Sequence, residues 1–275
     1  MVGSHRYHYL DEGAGAPLLL VHGNPTWSFY WRELVKALRG RWRVIVPDHI
    51  GCGLSDKPPP GAYSYRLAQR IDDLRQLVEH LGLEQVTLLA HDWGGAIGFG
   101  WAARRPDLLG RIVILNTAAF PSPRIPLRIA LCRVPVLGAF LVRGLNGFAR
   151  QAAGMAMHRR RLTPDERRGY LFPYDSWAHR IGVHRFVQDI PMAQDHPSRA
   201  TLEGIERALP QFAAHPALIL WGAADFCFDD YFLFQWRGLF PRAVSERYAD
   251  AGHYVLEDAG PEVRRRIATF LVSPF

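Results

Sequence analysis

Residues 88–98, LLAHDWGGAIG, decide how the rest of the chain is read. An apolar run stops at Ala90, three large polar or aromatic residues follow (His91, Asp92, Trp93), and Gly94-Gly95 opens a helical stretch. This is the layout of the G-x-S-x-G nucleophile elbow, in which the central residue is lifted on a sharp strand-to-helix turn. Here the central residue is Asp92 rather than serine. Asp92 taken alone would also pass for a helix N-cap. The flanking small residues, which permit close helix packing, favour a catalytic carboxylate.

Outward from this stretch, strand-like and helix-like runs alternate. RYHYLDEG (6–13), PLLLVHG (17–23), WRVIVPD (42–48), QVTLLAHD (85–92) and RIVILNT (111–117) read as strands. Between them, 28–40 and 66–82 carry helical apolar stripes, and 93–107 also reads as a helix. The alternation breaks at about residue 118, where proline-punctuated helical segments run to about 200, and resumes with ALILWG (217–222) and VSERYADAG (244–252) between helices at 200–212, 230–240 and 261–271. Such alternation predicts an α/β fold with a mostly parallel sheet covered on both faces. The expected organisation is a core of residues 1–117 and 201–275 with a helical cap at 118–200. An insertion at the carboxyl end of a parallel strand overlies the ligand-binding edge of such sheets, so the cap is a lid candidate and its apolar content points to an apolar ligand.

Composition narrows the function classes. The chain has 275 residues, 48% hydrophobic and 21% charged, as a globular protein requires. Three scattered cysteines, Cys52, Cys132 and Cys227, form neither a disulfide framework nor a metal-binding spacing. No metal, no cofactor and a reducing, cytoplasmic setting are the expectations, and the N-terminal stretch lacks a signal-like apolar run. Prolines and arginines interrupt residues 125–148, so this segment is not a membrane span, although it could lie on a membrane surface. The net charge of +7 sits in residues 120–200, which hold 13 arginines against five acidic residues. The run HRRR (158–161) has no interleaved aromatics and belongs to no nucleic-acid motif, so it reads as a solvated face and no nucleic-acid partner is expected.

Four segments fall at strand exits on one edge: HGNPTW (22–27), HDWGG (91–95), WGAAD (221–225) and DAGHY (250–254). Asp92, Asp225 and His253 then follow the chain order nucleophile, acid, histidine of α/β-hydrolases. A carboxylate can displace a leaving group at saturated carbon, giving an alkyl ester, and a histidine can activate water against that ester. Asp225 lies nearest its strand exit and is preferred as the acid, with Asp229 and Asp230 as alternatives. The Trp93 indole N–H and the Asn24 amide are neutral donors suited to a departing anion. The backbone N–H groups of Asn24 and Trp93 are the expected oxyanion hole.

HGNPTWSFYWR (22–32), PDHIGCGLSDKP (47–58), HDWGG and DAGHYVLEDA (250–259) together resemble the haloalkane dehalogenase family of α/β-hydrolases, over essentially the whole chain. The resemblance implies Asp92 as nucleophile, His253 as base, Asp225 as acid and Asn24 with Trp93 as the halide-stabilising pair. NTAAF (116–120) holds no acidic residue where one branch of that family keeps its acid, which agrees with Asp225. The first edge strand that relatives carry is expected to be shortened or missing here. VRGLNGFAR (142–150), PYDSW (173–177), RFVQDIP (185–191) and DFCFDD (225–230) resemble the β-lactone decarboxylases of bacterial long-chain olefin biosynthesis. The residues lead to a dehalogenase reading, R–X plus water to alcohol plus halide. The alternative is β-lactone decarboxylation to an olefin and carbon dioxide, with the basic cap meeting a membrane surface or a lipid-synthesis enzyme. Epoxide hydrolysis, with Tyr170 and Tyr174 as phenol donors, ranks lower because Asn24 stands where those enzymes resemble HG-aromatic-P. A non-catalytic binding protein ranks lower still.

Overall fold

In the computed structural model, which describes residues 1–274, seven strands form one sheet in the order β1-β3-β2-β4-β5-β6-β7. In chain order the elements are β1 (Tyr9–Glu12), β2 (Pro17–Val21), α1 (Arg32–Leu38), β3 (Arg43–Pro47), α2 (Leu67–His80), β4 (Val86–Asp92), α3 (Trp93–Arg104) and β5 (Leu109–Thr117). Then come α4 (Leu127–Arg133), α5 (Leu137–Ala139), α6 (Gly147–Met155), α7 (Pro164–Leu171), α8 (Ile181–Gln188) and α9 (Arg199–Ala208). The chain closes with β6 (Ala217–Gly222), α10 (Asp230–Leu239), β7 (Val244–Tyr248), α11 (Val255–Asp258) and α12 (Gly260–Val272). Within this sheet, among the described residues, the β1–β3 pair is antiparallel and the other strand pairs are parallel.

Central β4 is buried along its whole length between β2 and β5, which is why Leu88, Leu89 and Ala90 stand side by side in it rather than alternating with polar residues. Alternation still sorts side chains between the two faces. Leu19, Val21, Leu88, Ala90, Ile112, Ile114 and Ile219 meet α2, α3, α9 and α10 on one side. Leu18, Leu20, Leu89, Val113, Leu115, Leu218 and Leu220 meet α1, α11 and α12 on the other.

Between β5 and β6 the chain leaves the sheet and builds α4 to α8, with a small apolar cluster of its own around Ile129, Val142, Tyr174, Val183 and Val187. Phe226 and Cys227, from the exit of β6, pack against that cluster and so join cap and sheet edge. No helix among the described residues is long and apolar enough to cross a membrane.

The run 158–161 is exposed, as a solvated face should be, but it is also a latch. Backbone N–H groups of His158 and Arg159 donate to the Asp258 carboxylate at 2.6 and 2.8 Å. Arg159 pairs with Asp250 and Glu262, and Arg160 with Glu166 and Glu257. These arginines are already matched by acids of their own chain.

Candidate active site

The elbow is strained where the sequence placed it. Asp92 has φ 53° and ψ −126°, a conformation few non-glycine residues adopt, at a cost of about 1–3 kcal/mol. The turn is possible because its neighbours have no side chain to clash. A Cβ on Gly94 would meet Val21 O at 2.1 Å, and one on Gly95 would meet Thr117 Oγ1 at 2.0 Å. Gly94→Ala is therefore expected to destabilise the protein by about 1–3 kcal/mol despite alanine's better helix propensity, read as a lowered urea midpoint. An unchanged midpoint would show that the end of β2 at Val21 yields easily.

The structure brings the separated segments to one point. Asp92 is buried, with Oδ1 accepting the Asn24 backbone N–H at 2.6 Å. The Trp93 backbone N–H is also directed at this carboxylate. The two groups expected to form an oxyanion hole thus both face the Asp92 carboxylate, with Asn24 on Oδ1. Asp92 Oδ2 lies 3.7 Å from His253 Nε2, and His253 Nδ1 is 2.8 Å from Asp225 Oδ2. All three residues are buried.

The competing acids are occupied elsewhere. Asp229 caps α10 through the Tyr231 N–H and pairs with Arg124, and Asp230 pairs with Arg247. Asp225 is further fixed by the Cys227 N–H on Oδ1 at 2.7 Å and by the Asn116 amide on Oδ2 at 3.0 Å.

Burial pushes the Asp92 carboxyl above the usual Asp value; the facing His253 and the two backbone donors only partly counter it. For His253, burial lowers the imidazole, yet the Asp225 carboxylate and its hydrogen bond, with the Asp92 carboxylate, more than compensate, so the net direction is up. The site therefore favours an imidazolium that faces one carboxylate and is oriented by another.

Of the two side-chain donors, the Trp93 indole N–H lines the cavity without a protein hydrogen-bond partner among the described residues. Asn24 is more constrained than expected. Its Nδ2 donates to Val183 O of α8 at 3.2 Å, so one N–H is committed to the cap and one remains for the cavity. The cap thereby orients a donor of the core.

A cavity open to solvent runs from these residues under the cap. Asn24, Asp92, Trp93 and His253 form its polar end, and Ala118, Phe120, Ile129, Val187, Phe226 and Phe228 are among its apolar walls. Tyr170 and Tyr174, the phenols considered for an epoxide, do not line it. Tyr170 donates to Glu257 at 2.6 Å, and Tyr174 points toward Thr26 O at 3.5 Å.

Three supporting residues were not singled out from the sequence. Asn116 also bridges β5 to β6 through Gly222 N and O at 2.8 and 2.9 Å. His91, fully buried, places Nε2 2.9 Å from His253 O, and its ring stacks on Tyr30. Asp258 accepts the Gly252 N–H at 2.7 Å, which ties the turn before His253 to the latch at 158–159. A polar residue in an otherwise apolar strand exit was a visible signal for Asn116; for Asp258 there was none.

A family profile described as alpha/beta hydrolase fold matches residues 16–260. The cis-3-alkyl-4-alkyloxetan-2-one decarboxylase of Shewanella oneidensis is 48% identical over 272 residues, covering 98% of this chain and 86% of that protein. The decarboxylase of the same name from Xanthomonas campestris pv. campestris is 46% identical, over 96% of this chain and 91% of its own. Haloalkane dehalogenase 2 of Mycobacterium tuberculosis is 32% identical, over 98% and 91%. Among solved structures, haloalkane dehalogenase DbeA from Bradyrhizobium elkani superposes with a TM-score of 0.86 at 26% identity, covering 100% of this chain and 98% of that one. DatA from Agrobacterium tumefaciens gives 0.86 at 26% identity, over 97% and 92%. Both readings drawn from the residues are represented among the relatives, but the more similar sequences reverse their order.

Proposed function

The chain belongs to the alpha/beta hydrolase fold family, and from that premise we propose that it is a β-lactone decarboxylase acting on 3,4-dialkyl oxetan-2-ones. The observation that carries the proposal is a buried carboxylate, Asp92, at the polar end of a largely apolar cavity that opens through the cap. The two decarboxylase relatives, at 48% and 46% identity, choose the substrate.

The site then runs its displacement chemistry on a ring. Asp92 attacks C4 of the lactone from the side opposite the ring oxygen. The C4–O bond breaks, and its electron pair stays on oxygen, which becomes a carboxylate. That departing anion occupies the place a halide would take, beside the Trp93 indole N–H and the free Asn24 N–H. In the second step the C2–C3 bond breaks and its electrons form the C3=C4 double bond. The C4–Asp92 bond breaks with them, which releases carbon dioxide and restores the carboxylate. Inversion at C4 followed by elimination with the two groups opposed returns a cis-lactone as a cis-alkene. No water, proton or cofactor enters this sequence. Attack at the carbonyl carbon would instead leave a β-hydroxy acid after hydrolysis.

Asp225 and His253 serve as positioning and electrostatic partners of Asp92 during decarboxylation. They become base and acid partner only when an alkyl ester must be hydrolysed, as for a haloalkane. Haloalkane hydrolysis is accordingly a secondary activity of the same residues. A cytoplasmic setting accords with three unpaired cysteines, two of them buried.

The test is incubation of the purified protein with a cis-3,4-dialkyl β-lactone, with gas chromatography of the headspace and extract. Equal amounts of cis-alkene and carbon dioxide are expected. A β-hydroxy acid as the main product would overturn the assignment in favour of ordinary ester hydrolysis.

A further inference from the structure

One face of the cap carries large apolar side chains into solvent. Leu127, Leu131, Val134, Val136, Leu137 and Phe140 are all exposed, Val136 by 84%, Leu127 by 76% and Phe140 by 55%. They occupy a single stretch, from α4 through the turn after it and past α5. Helix α4 is two-sided. Ile129 and Cys132 line the cavity, whereas Leu127 and Leu131 point away from it. The turn that follows presents Val136 at φ 65°, a conformation rare for a β-branched residue, with its side chain outward. Isolated exposed apolar residues are ordinary, but a contiguous group of this kind marks a contact surface.

Charge says what kind of surface. Between Asp107 and Asp165 the chain contains nine arginines and no acidic residue. Five of those arginines, Arg124, Arg128, Arg133, Arg143 and Arg150, lie on the same stretch of cap. Arg124 is paired with Asp229. The other four meet no carboxylate among the described residues: Arg128 reaches Met155 Sδ, Arg133 reaches Ile190 O, and Arg143 reaches Trp177 O. The Arg143 guanidinium lies 4.5 Å over the exposed Trp177 ring, which joins that indole to the patch. Arginine and tryptophan together suit a boundary that is apolar on one side and wet on the other.

The mouth of the cavity is at this place. Arg124, Arg128 and Met155 line the cavity and are themselves exposed.

We propose that this face docks on the surface of an anionic lipid bilayer, with the cavity mouth against it. Val136, Leu127 and Phe140 enter the acyl boundary, and the unpaired arginines meet lipid phosphates. A second copy of the chain is a poorer occupant, because a two-fold contact would set these arginines against one another with no carboxylate between them. A bilayer supplies an anion to each. Docking of this kind lets a water-insoluble substrate enter, and its product leave, without crossing water. The inference concerns the surface alone and holds for either displacement chemistry.

Vesicle flotation of the full chain tests it. With vesicles of phosphatidylcholine containing about 40 mol% phosphatidylglycerol, the protein is expected to float at low ionic strength and to be released severalfold by high salt. L127D/V136D/F140D is expected to float at least about tenfold less while turning over a short-chain, water-soluble substrate at the parental rate, since none of the three positions lines the cavity. R143E/R150E, which leaves those apolar residues in place, is expected to show a comparable loss. Failure of the parent to float at low salt would overturn the proposal. So would a parental dimer that L127D/V136D/F140D converts to monomer, because the face would then be a self-association surface.

Discussion

Asp92→Asn is expected to abolish olefin formation, lowering turnover of a cis-3,4-dialkyl β-lactone by at least about 10³-fold, while the melting temperature stays the same or rises. The amide keeps the shape and one acceptor oxygen, so the Asn24 N–H bond at 2.6 Å can persist. What it lacks is the anionic oxygen that the proposed mechanism directs at C4. Asparagine also tolerates the positive φ of 53° at this elbow better than most residues. The stability sign follows from the carboxyl's upward shift on burial. A group whose folded pKa is raised binds its proton more tightly in the folded state, so its ionised form opposes folding as pH rises through that value. A neutral amide removes that opposition at neutral pH. Gas chromatography of the alkene and a thermal melt by circular dichroism read both halves. Residual turnover above a tenth of the parent would remove Asp92 from the chemistry, and loss of turnover together with the fold would say nothing specific to the nucleophile.

The second large effect separates two reactions in one pocket. His253→Gln is expected to slow halide release from a bromoalkane by about 10²–10⁴-fold, the usual size of a general-base contribution. The stalled protein should gain the mass of one alkyl group on Asp92. Decarboxylation of the lactone should fall by about tenfold or less, because expulsion of Asp92 by the forming double bond needs no activated water. Glutamine is chosen because its amide can still donate to the Asp225 carboxylate, which would otherwise be buried without a partner.

The parental pH profiles should part in the same way. His253 is raised above its ordinary value of 6.5, chiefly by Asp225 acting against burial. Hydrolysis needs the neutral imidazole, so halide release should decline as pH falls through a value above 6.5. Decarboxylation should not follow the His253 titration, because it needs no neutral imidazole; its acid limb should instead follow Asp92, which burial raises above the usual Asp value while the His253 cation only partly counters it. Equal losses in both reactions, in the variant and across pH, would sink the water-free second step and require a base in olefin formation.

Local patterning made much of this molecule legible. Adjacent apolar residues, Leu88-Leu89-Ala90, identified β4 because a central parallel strand is covered on both faces, and a period-3.6 stripe identified α2. The residues of the elbow, His91 through Gly95, could be read as a strained turn because each obeys a short-range steric rule. Element ends were less legible. The stretch taken as strand to residue 252 pairs only over Val244–Tyr248, and a short helix, α11, intervenes after His253. Where a strand stops depends on its neighbour rather than on its own residues.

What the sequence determined by itself was therefore the α/β alternation, the elbow around Asp92 and the turn that carries His253, since each is written in neighbouring residues. Which aspartate faces His253 was left open among three by sequence and decided by the fold, through the β6 exit and the amide of Asn116, 109 positions before Asp225. Asp258 likewise joins the 158–159 run to the turn before His253, across separations of 100 and 99 positions. The Asn24 amide is aimed by Val183, 159 positions away in the cap. Contacts at such separations follow no periodicity and leave no local signature. They exist only once burial has brought their partners together, and a buried polar group must then find a partner.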